Sequence, residues 1–292
     1  MAASWNLTDQ VVLVTGGARG IGAATAAELA RRGAVPVLAD VDGAALAETA
    51  AKLGGEVQTA VVDVTDYAAC EAAVAATLER HGRLDVVWAN AGVAAEGPAE
   101  LVEPEVWARV IQVNLIGAYN TVRAGLAAVI ESRGHVAITA SLASFAHAPG
   151  LSAYVASKAG VEAFADALRI EVAHQGVSVG VLHPSWIATD MVEEADAESA
   201  AFRRLRASMR GPMGRTYPVE SVAGPIADAF AARSDRTFLP AWVRGAHVLR
   251  AAINRPALLR DQLKAAPEMR ELWLEQAGRE GARSASFGSR WS

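Results

Sequence analysis

The chain has a single cysteine, Cys70, among 292 residues. No intrachain disulfide and no cysteine-built metal site can come from it. Its six histidines show no metal-ligand spacing, and His135 and His147 read as packing or surface residues, so no metal is expected. Long apolar runs are missing as well. The composition is 52% hydrophobic, yet no uninterrupted stretch is long enough to span a bilayer. The opening residues, Met1-Ala-Ala-Ser-Trp-Asn6, lack the basic start and apolar stretch of a signal peptide, and a reducing cytoplasm is the expected setting. No internal repeat and no low-complexity linker divides the chain. At this length it is expected to form one large α/β domain with ample core.

What is present alternates between strand and helix. Strands are expected near 11–15, 35–39, 57–62, 84–90, 135–140 and 177–183, and helices at 44–53, 66–81, 104–131 and 152–174. That alternation predicts a doubly wound parallel sheet with helices on both faces, a Rossmann-like fold. Right-handed crossovers would bring Gly16, Asp40, Asn90, Ser141 and Pro184 to one edge of the sheet.

The first strand runs into Thr15-Gly16-Gly17-Ala18-Arg19-Gly20-Ile21-Gly22 and then an alanine-rich helix. Glycines at such a turn let the backbone approach a pyrophosphate, and the following helix offers free N–H groups and a favourable dipole. Asp40 closes the second strand about 20 residues later, where a carboxylate accepts the adenosine ribose hydroxyls and repels a 2′-phosphate. Arg19 pulls the other way, since an arginine there can hold that phosphate. Asp40 would sit at the ribose itself, so NAD is favoured and NADP stays open.

Tyr154 and Lys158 lie four apart in a helical stretch and so share a face. The lysine charge is expected to favour the phenolate, tuning the tyrosine for proton exchange with an alcohol or carbonyl.

Taken together, residues 8 to 240 resemble the short-chain dehydrogenase/reductase family. Ser141, Tyr154 and Lys158 match its catalytic serine, tyrosine and lysine, and Asn114 in Ile111-Gln-Val-Asn-Leu115 matches its fourth catalytic position, which organises a water beside the lysine. Asn90-Ala91-Gly92 matches the family's Asn-Ala-Gly element, and Asp63 with Val64 the acidic segment near the adenine. Pro184, Ile187 and Thr189 fall in the segment that binds the nicotinamide amide, with Ser185 where glycine is usual. The resemblance implies hydride transfer between a secondary alcohol or ketone and NAD(P). Tyr154 would be the acid or base, Ser141 would hold the substrate oxygen, and Lys158 would hold the nicotinamide ribose. An NADP-preferring carbonyl reductase and a non-catalytic dinucleotide sensor on the same fold are the alternatives. By position, the substrate pocket would be lined by Ala94, Leu142, Ala143, Ala148, Leu151, Trp186, Met191 and Val192. These are mostly apolar with no charged anchor, which suits an aliphatic, alicyclic, aromatic or steroid-like alcohol.

Two segments exceed a minimal domain. Residues 190–216 are polar, bounded by glycine and proline, and suit a lid over the substrate. Residues 241–292 read as a helical extension, with helices at 241–253 and 256–277. Residues 1–200 hold 11 basic against 24 acidic side chains, whereas residues 201–292 hold 16 against 8. The basic, amphipathic tail could lie on an anionic membrane surface; packing on its own or a neighbouring subunit is preferred, with Trp242, Leu249, Leu258 and Trp273 buried. Nothing pairs its arginines with a nucleic-acid module. A homodimer or homotetramer is expected, built on the helices at 104–131 and 152–174.

Overall fold

The computed structural model describes residues 5–54, 57–280 and 286–287. Strand β1 (Val11–Thr15) leads to helix α1 (Gly20–Arg31), β2 (Val35–Asp40), α2 (Gly43–Leu53), β3 (Gln58–Val61), α3 (Tyr67–His81) and β4 (Val86–Ala89). A two-residue strand β5 (Ala94–Ala95) precedes α4 (Pro104–Ile111), a π-helical turn (Gln112–Ile116) and α5 (Gly117–Glu131). Then come β6 (His135–Thr139), α6 (Ser152–Val172) and β7 (Ser178–Pro184). Helices α7 (Asp190–Glu198), α8 (Ala200–Ala207) and α9 (Glu220–Ala231) lead to β8 (Arg236–Leu239). The extension carries α10 (Val243–Val248), α11 (Arg250–Ile253), α12 (Arg260–Glu280) and β9 (Ser286–Phe287).

Seven strands form one parallel sheet in the order β3-β2-β1-β4-β6-β7-β8. Strands β1, β4 and β6 are buried at every position, because alternate side chains point into two separate cores. On one face Val11, Leu13 and Val87 meet Val122, Val129, Val161 and Leu168 from α5 and α6. On the other, Val12, Val14 and Trp88 meet Ala26 and Leu29 of α1 and Ile226 and Phe230 of α9. The chain reverses its winding between β3 and β4, so the carboxyl ends of β1 and β4 open a crevice, where ligands of such sheets bind.

Element bounds differ from the sequence expectation at instructive places. Strand β4 starts at Val86, two residues late, because the buried Asp85 carboxylate takes the Val11 N–H at 2.9 Å and binds Arg83. The expected continuous helix at 104–131 contains the π turn. By length and hydropathy this stretch could cross a bilayer, but half of its most apolar window is buried, with Val122 and Val129 against the sheet. Residues 190–216, the expected lid, consist of two helices and a short 3-10 turn. The first tail helix is broken into α10 and α11, and the second begins at Arg260 rather than 256. The tail's end, beyond residue 280 apart from β9, lies outside the described residues.

Candidate active site

Short polar bonds hold the strand ends at the crevice. The Thr15 hydroxyl donates to the Trp88 carbonyl at 3.3 Å and accepts the Asn90 N–H at 3.1 Å. Asn90 Nδ2 donates to the Gly16 carbonyl at 3.2 Å, and its Oδ1 accepts the Thr139 hydroxyl at 3.1 Å. β1, β4 and β6 are thereby tied to the glycine turn. Gly16 takes a positive φ of 66°, and a Cβ on Gly22 would stand 2.1 Å from the Gly16 carbonyl oxygen. Only glycine at 22 lets α1 start this close to the turn, aiming its N-terminal N–H groups into the crevice.

The crevice is a cleft of about 500 Å³. Every residue expected around a dinucleotide lines it except Gly22, whose place is helix–turn packing. Thr139, Arg109 and Asp190 line it too and were not expected. At its far end Asp40 is fixed by two backbone donors, Ala18 N and Asp42 N, each at 3.2 Å. Arg19 is paired with Asp42 and lies 3.8 Å from Asp190. Asp63 accepts from the Thr65 hydroxyl at 2.7 Å and from Arg109 at 3.1 Å. A glycine cradle with a helix N-terminus at one end and a fixed carboxylate at the other is the donor and acceptor set that a dinucleotide's pyrophosphate and ribose call for.

Below the cleft, Lys158 Nζ donates to the Thr139 carbonyl at 2.8 Å and lies 5.6 Å from the centre of the Tyr154 ring. Asn114, inside the π turn, exchanges hydrogen bonds of 2.8 and 2.9 Å with the Val93 backbone and donates to Ser157 at 3.0 Å. Ser141 caps the turn at Leu142–Ser144, its hydroxyl accepting the Ala143 N–H at 3.1 Å. The four expected groups therefore converge.

Their electrostatics correct one expectation. Burial raises the Tyr154 pKa, with only the Ser141 hydroxyl opposing it, and burial lowers the Lys158 ammonium to about 8. The net shift of the phenol is upward, with burial its first cause. Burial penalises phenolate and ammonium alike, and the ammonium is engaged with a backbone carbonyl.

A second cavity of about 90 Å³ adjoins the first, and Tyr154, Ser185, Met191 and Val192 line both. All eight expected pocket residues line it. Phe202, Met209, Met213 and Gln262 extend its wall, and so does Glu96, which corrects the expectation of no charged anchor. The signal for Glu96 was a lone acid in the apolar run Val93-Ala-Ala-Glu96 before Gly97-Pro98.

The extension closes this pocket from outside. Ala265, Met269 and Trp273 of α12 pack on Leu151, Ala201 and Leu205, with Tyr154, Trp186 and Met209 at the margin. A Cβ on Gly150, at φ 77°, would stand 2.3 Å from the Trp273 ring, so that ring seats only over glycine. Ion pairs Arg204–Glu268, Arg210–Asp261 and Arg270–Glu100 fasten α12 to α8, to the segment just after α8 and to the loop after Glu96. Of the four residues expected to be buried, Trp273 is, at 6% exposed, and Trp242 partly so. Leu249 and Leu258 are instead 61% and 55% exposed, because the break at Leu249 and the turn before Arg260 carry them off the packed face.

Residues 10–200 match the short chain dehydrogenase family. The chain is 38% identical over 189 residues to "Probable oxidoreductase EphD" of Mycobacterium tuberculosis; that match takes in 63% of this chain but spans only 32% of the relative's length. It is 30% identical over 245 residues to "Trans-4-hydroxycyclohexanecarboxylate dehydrogenase" of Sinomonas cyclohexanicum, covering 80% of this chain and 89% of that one. A solved short chain dehydrogenase from Mycobacterium paratuberculosis, bound to NAD, superposes with a TM-score of 0.71 at 27% identity, over 80% of this chain and 97% of the other. With its seven-stranded parallel sheet, its glycine turn and the convergence of Ser141, Tyr154 and Lys158, this chain belongs to the short chain dehydrogenases, a family of oxidoreductases acting on alcohol or carbonyl groups.

Proposed function

We propose that the chain is an NAD-dependent enzyme interconverting a secondary alcohol and a ketone on a small, largely apolar molecule. One observation carries this reading: Tyr154 lines both the dinucleotide cleft and the apolar pocket, the one place where an ionisable group can serve a substrate beside the cofactor. The NAD-bound relative supports the cofactor class, and the relative named for a hydroxycyclohexane substrate supports a ring alcohol. Residues 190–216 act as the substrate lid, and the segment after residue 240 as a cover on the same domain.

The residues divide the work by position. Gly16, Gly20 and Ile21 would hold the pyrophosphate at the start of α1, Asp40 the adenosine ribose, and Lys158 with Asn90 the nicotinamide ribose side. When bound, an oxidised nicotinamide supplies the hydride acceptor and a positive charge near the phenol. Ser141 positions the substrate oxygen by hydrogen bond and steadies its developing charge. Tyr154 takes the hydroxyl proton in oxidation and returns it in reduction. Lys158 sits beside that phenol, and Asn114, held rigidly by Val93 and Ser157, fixes the polar end of the route by which the proton leaves.

NAD over NADP follows from the ribose end. A 2′-phosphate would meet the fixed Asp40 carboxylate, and Arg19, the nearby cation, is already committed to Asp42. Apolar side chains left exposed on the helix pair, Trp107, Ile116, Tyr119 and Ile170, support a homo-oligomer built on α4–α6.

A panel of secondary alcohols and ketones, run with NAD and NADP in parallel, tests the reading. Turnover with NAD at higher kcat/KM is expected, and Asp40→Ser should narrow the gap. Tight dinucleotide binding with no turnover across the panel would leave a sensor in place of an enzyme.

A further inference from the structure

Glu96 follows β5 and lines the apolar pocket with Ser141 and Tyr154. It is 1% exposed, and neither carboxylate oxygen has a hydrogen-bond partner among the described residues. The Ser199 hydroxyl and the Trp273 indole N–H stand near enough to favour its charged form without reaching hydrogen-bond geometry, and the Trp273 Nε1 itself has no partner among the described residues. Arg203 acts on it at longer range; Tyr154 and His147 are the other titratable groups lining the pocket. Burying an acid without partners costs several kcal/mol when it is charged. Both oxygens are buried, so the carboxyl group must turn towards the pocket for a ligand to supply the missing bond, and that cost falls once it does.

We propose that Glu96 is the specificity anchor of this pocket, its carboxyl group hydrogen-bonding a second hydroxyl on the substrate, so that the enzyme acts on diols and hydroxyketones with a compact apolar skeleton. The proposal rests on the oxidoreductase reading above and adds the substrate class. Three candidate partners are separated by charge and by donor type. Burial raises the Glu96 pKa to about 7, so both protonation states are populated near neutrality. A substrate carboxylate would bind only the protonated form and be repelled by the other. An ammonium would prefer the charged form alone. A hydroxyl both donates and accepts and so complements Glu96 in either state. Leu142, Leu151, Trp186 and Phe202 enclose the remainder, which suits the hydrocarbon between the two oxygens.

The test compares trans-1,4-cyclohexanediol with cyclohexanol, using NAD, in the parent and in Glu96→Gln and Glu96→Leu. A hydrogen bond to a buried charged group is worth roughly 1.5–3 kcal/mol, so the parent should favour the diol in kcat/KM by about tenfold or more. Glu96→Leu should bring the ratio near unity. Glu96→Gln, which preserves shape and some hydrogen bonding, should fall between. Dinucleotide Kd close to the parent's in both variants shows that they are folded, and the parent's own ratio stands even if Glu96→Leu is not. A parent that oxidises both compounds alike, or variants with an unchanged ratio, overturns the anchor while the oxidoreductase reading stands. Absence of turnover across the whole alcohol panel overturns both. If 4-aminocyclohexanol surpasses the diol at pH 8, where Glu96 is charged, the hydroxyl assignment gives way to a cationic one.

Discussion

The dinucleotide cleft and the cover of the substrate pocket meet at Tyr154, but they are held together differently. The cleft is walled by ends of adjacent strands, and its geometry comes from backbone groups and short polar bonds such as Thr15–Asn90 and Asn90–Gly16. The cover is α12, which lies in the extension beyond those strands, held by a few apolar contacts around Met269 and Trp273 and by ion pairs at the surface. A family can retain the first while exchanging the second, because the cover can change without disturbing a ladder of strands. On the function proposed above, chemistry would belong to the sheet edge and selectivity to the segments that cover the apolar pocket.

The largest expected effect is at the junction. Tyr154→Phe removes an ionisable hydroxyl that lines both cavities and should lower turnover by about a hundred- to ten-thousand-fold, the range for loss of a general acid–base group. Dinucleotide Kd should stay close to that of the parent. Comparable turnover in the variant would dissolve the division of labour described above.

Acid should attack the sheet rather than the cover. Burial depresses His135 to about 3 and His183 to about 4, and both lie in central strands. The folded chain keeps them neutral while the unfolded chain protonates them below its ordinary value. Their stabilising contribution is therefore present above pH 6.5 and is lost as pH falls towards 3, by roughly 3 to 5 kcal/mol for each. Denaturant midpoints measured between pH 7 and 4 should fall, and His183→Gln should flatten the slope. A slope unchanged in that variant would assign acid sensitivity to other groups.

Met269→Ala empties a fully buried site in the cover, where such truncations cost about 2 to 5 kcal/mol. The expected readout is a raised substrate KM with little change in dinucleotide Kd. A matched loss of dinucleotide binding would show that cleft and cover are one cooperative unit. The smallest effect belongs to Arg210→Ala, which breaks an exposed pair with Asp261. Its change in Tm should disappear in high salt, as exposed pairs are screened.

How far each region can be read in the sequence follows the same division. Gly16, Asp40 and the Tyr154/Lys158 pair are legible from local spacing, and Asn90 from the family resemblance, its place being held by bonds to Thr15 and Gly16 far back in the chain. So is the doubly wound parallel class, since strand and helix alternate along the chain; the order of the strands and the last one, β8, are not read from it. Glu96 escaped because its burial is made by Ser199 and Trp273, residues over a hundred positions away. The Tyr154 pKa was misread for a related reason. Spacing shows a lysine one turn along, but not that its ammonium is turned to the Thr139 carbonyl or that both groups are buried. Leu249 and Leu258 look like core in a helical pattern and are not, because the helix breaks beside them.

The π turn at Gln112–Ile116 has a consequence for how this chain tolerates change in length. One extra residue in a helical turn rotates everything after it by about 100° relative to an unbroken helix. Arg109 and Val113 thus face the cleft, while Val122 and Val129 face the sheet core. Deleting a single residue here would restore a regular helix, yet put the two halves out of phase with the surfaces they serve. In this stretch an indel is costlier than most substitutions, and Asn114 holds its place only so long as the count of residues around it is kept.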